Sequence, residues 1–382
     1  MAREMMYGEA MAAAIIEEMQ RDPDVVFYGQ NMAMTPRDPM LKLFGRNRVR
    51  IAPISETAEI GIAVGAAITG LRPIVELWMN EFMLVAMDQV VNEAPRLRYM
   101  SGGQVKVPLV LKAGFGFAAG WAGQHSNCLY HMMMGCPGLK VVVPSTPADA
   151  KGLMAAAIRD DNPVVYLHNY MLTLEQGEVP EGEYVIPLGV ADVKRVGADI
   201  TIVATGWMVK KSLAAAERLA AEGISAEVVD PRTLAPLDVK TIIESVRKTG
   251  RLVLVDQAPR HASAAAIIAA EVAEHGFESL RAPIRIVSAL DTSIPYSEPL
   301  ENHVLPNEEK IVETVKAVLF KQAVPPERPV EAYLSCPEVQ AQAGAHQDGR
   351  RHVQHRGASD VIAPVQQGVR GDEYLDGAPE RV

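Results

Sequence analysis

The sequence predicts an α/β protein of two three-layer αβα domains followed by a disordered tail. Three observations carry this reading. Runs rich in β-branched residues alternate with Ala-rich helical segments through about the first 320 residues, the pattern of parallel sheets covered by helices. The alternation breaks once, over 175–186, where Gly177, Pro180 and Gly182 stand among acidic residues, and then restarts. Beyond 322 the chain becomes rich in Pro, Gln, Gly and His without apolar periodicity, so burial cannot offset the entropy of ordering it. The expected division is a domain at 1–174, a linker at 175–186, a smaller domain at 187–322 and a tail at 323–382.

The first domain opens with a helix at 7–20, which leads through Asp22-Pro23-Asp24 into a strand at 25–28 stopped by Gly29. Further strands are expected at 50–54, 72–77, 108–113, 140–143 and 163–167, and helices at 58–69, 81–99 and 146–159. Pro147 suits the first turn of the last helix because its fixed φ is already helical. In the second domain, strands at 199–204, 225–229, 251–255 and 284–287 alternate with helices at 208–222, 239–248, 262–275 and 307–319. No repeat of solenoid length recurs.

Composition excludes several function classes. Of 382 residues, 48% are apolar, ample for two cores. Lys and Arg number 37 against 47 Asp and Glu, and the resulting charge of −10 argues against nucleic acid as a primary partner. Three cysteines, Cys128, Cys136 and Cys336, cannot build a disulfide framework and point to the cytoplasm. The uncharged stretch between Lys112 and Lys140 is broken by Gly, His, Asn, Gln and Pro, so no membrane span is expected. Arg3, Glu4 and Glu9 interrupt the start, which lacks the apolar core of an export signal. His346, His352 and His355 lie in the tail, where nothing fixes a metal geometry.

Two motifs could carry chemistry. Gly114-Phe115-Gly116-Phe117-Ala118-Ala119-Gly120 follows a strand, but its spacing is not that of a dinucleotide-binding turn, and it reads better as a tight loop bringing backbone close to a ligand. Sharper is Ala52-Pro53-Ile54-Ser55-Glu56-Thr57-Ala58-Glu59-Ile60-Gly61, a strand that ends in a carboxylate at the start of a helix, where open α/β sheets place ligands. From these residues alone the commoner reading is that Ser55 caps the helix while Glu56 and Glu59 favour its positive end. The helix continues with Gly61, Ala63, Gly65, Ala66 and Ala67, small enough for close packing against a core or a partner.

Further motifs decide between these readings. Pro53-Ile54-Ser55-Glu56, Gly65-Ala66-Ala67, Gly70-Leu71-Arg72-Pro73, Asp88-Gln89, Asn92-Glu93-Ala94 and Tyr99-Met100-Ser101-Gly102-Gly103-Gln104 stand in order. Gly123-Gln124-His125-Ser126, Pro137-Gly138-Leu139-Lys140, Asp149-Ala150-Lys151-Gly152-Leu153, Asp230-Pro231-Arg232-Thr233-Leu234 and Pro236-Leu237-Asp238 follow them. Over about residues 6–319 the chain closely resembles the β subunit of thiamine-diphosphate-dependent 2-oxo acid dehydrogenases, a family that includes the pyruvate and branched-chain E1 components and the acetoin dehydrogenases.

The resemblance implies a pyrimidine-binding domain and a transketolase-type C-terminal domain. It also implies thiamine diphosphate, whose C2 carbanion forms when its own 4′-imino group takes the proton, a tautomer that needs a protonated N1′. Glu56 falls where the family's acid meets N1′, Phe82 where an aromatic ring stacks on the aminopyrimidine, Gln30 near the cofactor, and His125 beside the thiazolium and substrate. Backbone carbonyls of Leu109, Ala157, Asp160 and Asn162 fall where some members hold K⁺. Nothing in the two domains resembles the Gly-Asp-Gly and Asn that carry Mg²⁺ and the diphosphate, and Gln347-Asp348-Gly349 lies in the tail. The cofactor is therefore expected between this chain and an α subunit, in an α2β2 heterotetramer serving a lipoyl-bearing E2 and using a 2-oxo acid or acetoin. A split transketolase-like enzyme acting on sugar phosphates and a noncatalytic subunit that anchors partners are the alternatives.

The chain also departs from the family. Gly29-Gln30-Asn31 replaces the usual Gly-Glu-Asp or Gly-Glu-Glu, and the loop 32–38 is shorter than usual. Leu129, Tyr130, His131, Met132, Met133 and Met134 replace aromatic or acidic positions, and His261-Ala262-Ser263 stands where glycines are common. These differences bear on substrate identity more than on cofactor chemistry.

Overall fold

Strands that are apolar on both faces require a covering layer on each, and both sheets have two. The computed structural model describes residues 2–30, 37–261 and 263–321; Asn31 and the expected tail lie outside them. In the first domain the strands Thr233–Ala235, Lys140–Val142, Val164–Asn169, Val110–Phe115, Arg72–Met79, Val25–Gln30 and Val49–Ala52 form one sheet in that spatial order. All pair in parallel except the first. Met11, Ile15, Phe27, Ile74, Leu153 and Tyr166 join one face to the helices Tyr7–Arg21 and Pro147–Arg159. On the other face Ile60 and Ala63 of the helix Glu56–Ile68 pack on Val75, Leu77 and Leu111. The strand expected to stop at Gly29 runs on to Gln30. Glycine is required there because a Cβ would lie 2.2 Å from the Glu76 carbonyl oxygen of the neighbouring strand.

The second sheet has the order Arg285–Ala289, Leu252–Pro259, Ile200–Ala204, Ala226–Asp230 and Asp192–Arg195, parallel but for the last. Helices Trp207–Ala221 and Glu308–Phe320 cover one face, Val239–Thr249 and Ala264–His275 the other. Asp238, Ser263 and Asn307 each cap a helix by accepting a backbone N–H. The expected class, two αβα layers built on largely parallel sheets, is the one observed. No helix among the described residues is long and apolar enough to cross a membrane.

Three features depart from the expected elements. Thr233–Ala235 leaves the second domain and pairs antiparallel with Lys140–Val142 at the edge of the first sheet. Within the segment read as a linker, Gln176–Pro180 forms a strand against Ala2–Met6. The helix expected over 81–99 is three pieces: a 3₁₀ segment Asn80–Ala86, a π-helical segment Asp88–Glu93 and the short helix Ala94–Met100. Pro95, which has no N–H to donate, opens the last piece, while side chains at the start of the first are committed to a distant loop, as described next.

Candidate active site

The carboxyl ends of Val25–Gln30, Val49–Ala52, Arg72–Met79 and Val110–Phe115 lie side by side, and the elements leaving them carry Glu56, Phe82 and His125. Glu56 begins its helix with 8% of its surface exposed. The Gln30 carboxamide donates to Glu56 Oε1 at 2.9 Å and to Glu59 Oε1 at 3.3 Å. Ser55 does not cap the helix with its side chain; its backbone N–H donates instead to Glu59 Oε1 at 3.0 Å. Glu59 therefore serves the helix start, which leaves Glu56 for another use. The Tyr28 hydroxyl donates to the Glu59 carbonyl, and burial pushes its pKa up.

Thr57 Oγ donates to the Val85 carbonyl at 2.9 Å, tying the helix start to the 3₁₀ segment that carries half-buried Phe82. The Phe82 ring stands edge-on to the His125 imidazole, centroids 6.1 Å apart. Trp121 lies 6.0 Å from the same imidazole and packs edge-on against Trp78. The structure thus brings Gln30, Glu56, Phe82 and His125 to one end of the sheet. The Gln30–Glu56 pair supplies a buried carboxyl there, and Phe82 and Trp121 flank the His125 imidazole.

Sequence reasoning missed the residues that hold the His125 loop. Asn80 accepts the Leu129 N–H at 2.8 Å and donates to the Asn127 carbonyl at 3.1 Å, while Glu81 accepts the Asn127 N–H at 2.7 Å. Burial raises the Glu81 pKa. Behind them Tyr130 donates to Asp256, another carboxyl raised by burial. No spacing in the sequence pointed to them; in the structure the 3₁₀ and π-helical segments over 80–93 mark the place, since π-helical turns gather at functional sites. Met133 lies in the core and Met134 packs against it, so these thioethers fill space rather than line a pocket.

Three of the four carbonyls considered for K⁺ accept hydrogen bonds within the chain. Leu109 accepts from Val164 N–H and Ala157 from Asp160 N–H. Arg72 donates to the Asp160 carbonyl at 2.8 Å, and Arg98 donates to the Asn162 side chain at 2.6 Å. At the same corner Arg72 and Lys106 pair with the Asp161 carboxylate and Lys140 with that of Asp160.

Comparison with known proteins bears on the two domains. Residues 3–172 match the family model of the transketolase pyrimidine-binding domain and residues 189–311 that of the transketolase C-terminal domain. The β subunit of an acetoin:2,6-dichlorophenolindophenol oxidoreductase from Bacillus subtilis (strain 168) is 41% identical over 341 residues, covering 85% of this chain and 100% of that one. The chain belongs to the E1 β-subunit family of transketolase-like proteins. Among other members, the pyruvate dehydrogenase E1 β subunit of Rhizobium meliloti (strain 1021) is 43% identical over 83% of this chain and 70% of its own, and that of B. subtilis 41% over 83% and 99%. A solved structure described as a split-gene transketolase in an inactive β4 tetramer superposes with a TM-score of 0.70 at 24% identity, over 84% of this chain and 99% of that one; it supports the fold alone.

Proposed function

We propose that this E1 β-family chain forms half of a thiamine-diphosphate site and, with an α subunit, decarboxylates a 2-oxo acid or cleaves acetoin, passing the acyl unit to a lipoyl-bearing E2. The observation that carries this is buried Glu56, held by Gln30 and freed from helix capping by Glu59, at the sheet end that also presents Phe82 and His125. Thiamine diphosphate, when bound, would supply a nucleophilic carbon and an electron sink for the decarboxylation. Glu56 would hold a proton at N1′ of the pyrimidine, and Gln30 would fix the rotamer of that carboxyl. Phe82 would offer its ring to the aminopyrimidine face. His125, on a loop between Phe82 and Trp121, would orient the substrate carboxylate or move a proton as the acyl unit leaves.

The apolar surface beside the site supports a partner. Ile54 and Ile62 are 66% and 65% exposed, and Ile51, Leu84 and Val85 are exposed as well. Such a patch, next to a site that holds only the pyrimidine end of the cofactor, suits an α subunit bringing Mg²⁺ and the diphosphate ligands.

The test is calorimetry of thiamine diphosphate with the chain alone and with an added α subunit, followed by assay of pyruvate, branched-chain 2-oxo acids, acetoin and a sugar phosphate. Tight, Mg²⁺-dependent binding only in the mixture, with turnover of a 2-oxo acid or acetoin, is expected. Tight binding by the lone chain, or turnover of the sugar phosphate alone, would contradict the proposal.

A further inference from the structure

The loop that carries His125 is built against ordinary backbone preference. Gly116, Ala119, Gly120 and Ala122 all have positive φ, at 63°, 73°, 83° and 59°. For the two alanines this is a costly conformation, one that persists only where surrounding contacts over-determine it. Contacts within the loop include the Gly116 N–H to the Asn127 carbonyl and the His125 N–H to the Ala122 carbonyl.

Asn80 and Glu81 hold the far end of the loop, and the second domain holds its start. Glu301, 3% exposed on the helix Glu298–Val304, accepts the Ala119 N–H on Oε2 at 2.8 Å and the Gly120 N–H on Oε1 at 3.3 Å. Gln257 donates to the Gly116 carbonyl at 3.0 Å and accepts from Asn169 at 2.7 Å. Ala118 packs with Ala289, Ile294, Val304 and Leu305. The loop has no slack toward this surface, because a Cβ on Gly120 would meet the Tyr296 carbonyl at 3.3 Å.

We infer that Glu301 is a positioning residue for His125: its carboxylate clamps the left-handed turn at Ala119-Gly120, so the second domain sets where the imidazole stands. This rests on the proposed active-site role of His125. Two N–H groups pointing at one carboxylate make charge-assisted bonds, which a neutral side chain replaces only in part. Without the clamp, Ala119 can relax to negative φ and draw residues 120–125 away. A misplacement of about an ångström is enough to lower turnover severely.

The experiment uses the chain assembled with its α subunit and loaded with thiamine diphosphate. Glu301→Ala and Glu301→Gln are measured for kcat and KM, each in the wild-type background and with Ala119→Gly, and hydrogen exchange is followed over residues 114–128. Glu301→Ala is expected to lower kcat by roughly tenfold to a hundredfold with little change in KM and to speed exchange. Glu301→Gln should lose less. In the Ala119→Gly background, where positive φ costs nothing, the loss should shrink several-fold. Unchanged exchange, or a kcat loss equal in both backgrounds, would overturn the clamp. Faster exchange at wild-type kcat would also overturn it, and His125→Ala measured alongside would then show whether the role of His125 has failed too. If Glu301→Ala does not assemble, the Glu301→Gln pair decides by the same comparison.

Discussion

The Gln30 carboxamide donates across 2.9 Å to Glu56 Oε1 and across 3.3 Å to Glu59 Oε1, so one uncharged side chain joins two buried carboxyls. Gln30→Glu keeps the length but removes the donor and adds a third acid. Like charges in one buried cluster repel, and a lost donor leaves oxygens unsatisfied. The variant should be less stable by about 1–3 kcal/mol near neutral pH, with the deficit shrinking as pH falls towards about 4 and the new carboxyl protonates in the folded state. Denaturant titrations at the two pH values check this; an equal deficit at both would mean that charge is not the cause.

His125 has rings on two sides, Phe82 at 6.1 Å and Trp121 at 6.0 Å, and is only half buried. His125→Ala should retain cofactor binding in the assembled enzyme but lower turnover by about 10² or more, the range of a lost proton-transfer group. Wild-type rates in both decarboxylation and lipoyl acylation would return His125 to a structural role.

A buried acid at the domain junction predicts a pH dependence of stability. Asp230 accepts from Ser145 Oγ at 2.5 Å and faces Asp149, Arg232 and, at 3.9 Å, Lys194. Burial, with the charge of Asp149 behind it, pushes the Asp230 carboxyl up to about 7 against the pull of Lys194. The native state therefore binds this proton more tightly than the unfolded chain, and stability falls as pH rises from about 4 to about 7. Asp230→Asn removes the dependence, so wild type should lose about 1–3 kcal/mol relative to the variant between about pH 5 and pH 8. A difference that stays constant across that range would show Asp230 ionised throughout.

How much of this was legible in the sequence follows from the range of the interactions. The parallel layers were legible because buried strands such as Val164–Asn169 are apolar throughout and helices such as Pro147–Arg159 begin with a proline and a capping threonine. Thr233–Ala235 was not, because three residues between two prolines carry little strand signal and their partner lies about ninety residues earlier, at Lys140–Val142. Glu56, Phe82 and His125 were placed by resemblance. By pattern alone Glu56 competes with helix capping, and only Glu59 taking the Ser55 N–H removes that competitor. Asn80, Glu81, Gln257 and Glu301 were invisible because each acts on backbone 46 to 182 residues away, where no spacing rule reaches. Asn31 and the tail lie outside the described residues.

The most direct measurement is C2 proton exchange of bound thiamine diphosphate in the assembled wild type and in Glu56→Gln, with assembly checked by sedimentation. If Glu56 merely favoured the positive end of its helix, the near-isosteric change would cost about 0.3–1 kcal/mol of stability and leave exchange untouched. If Glu56 holds the proton at N1′, the amide keeps the packing and the Gln30 contact region but loses the acid, and exchange should slow by orders of magnitude. Equal exchange rates in two properly assembled proteins would contradict the assignment of Glu56.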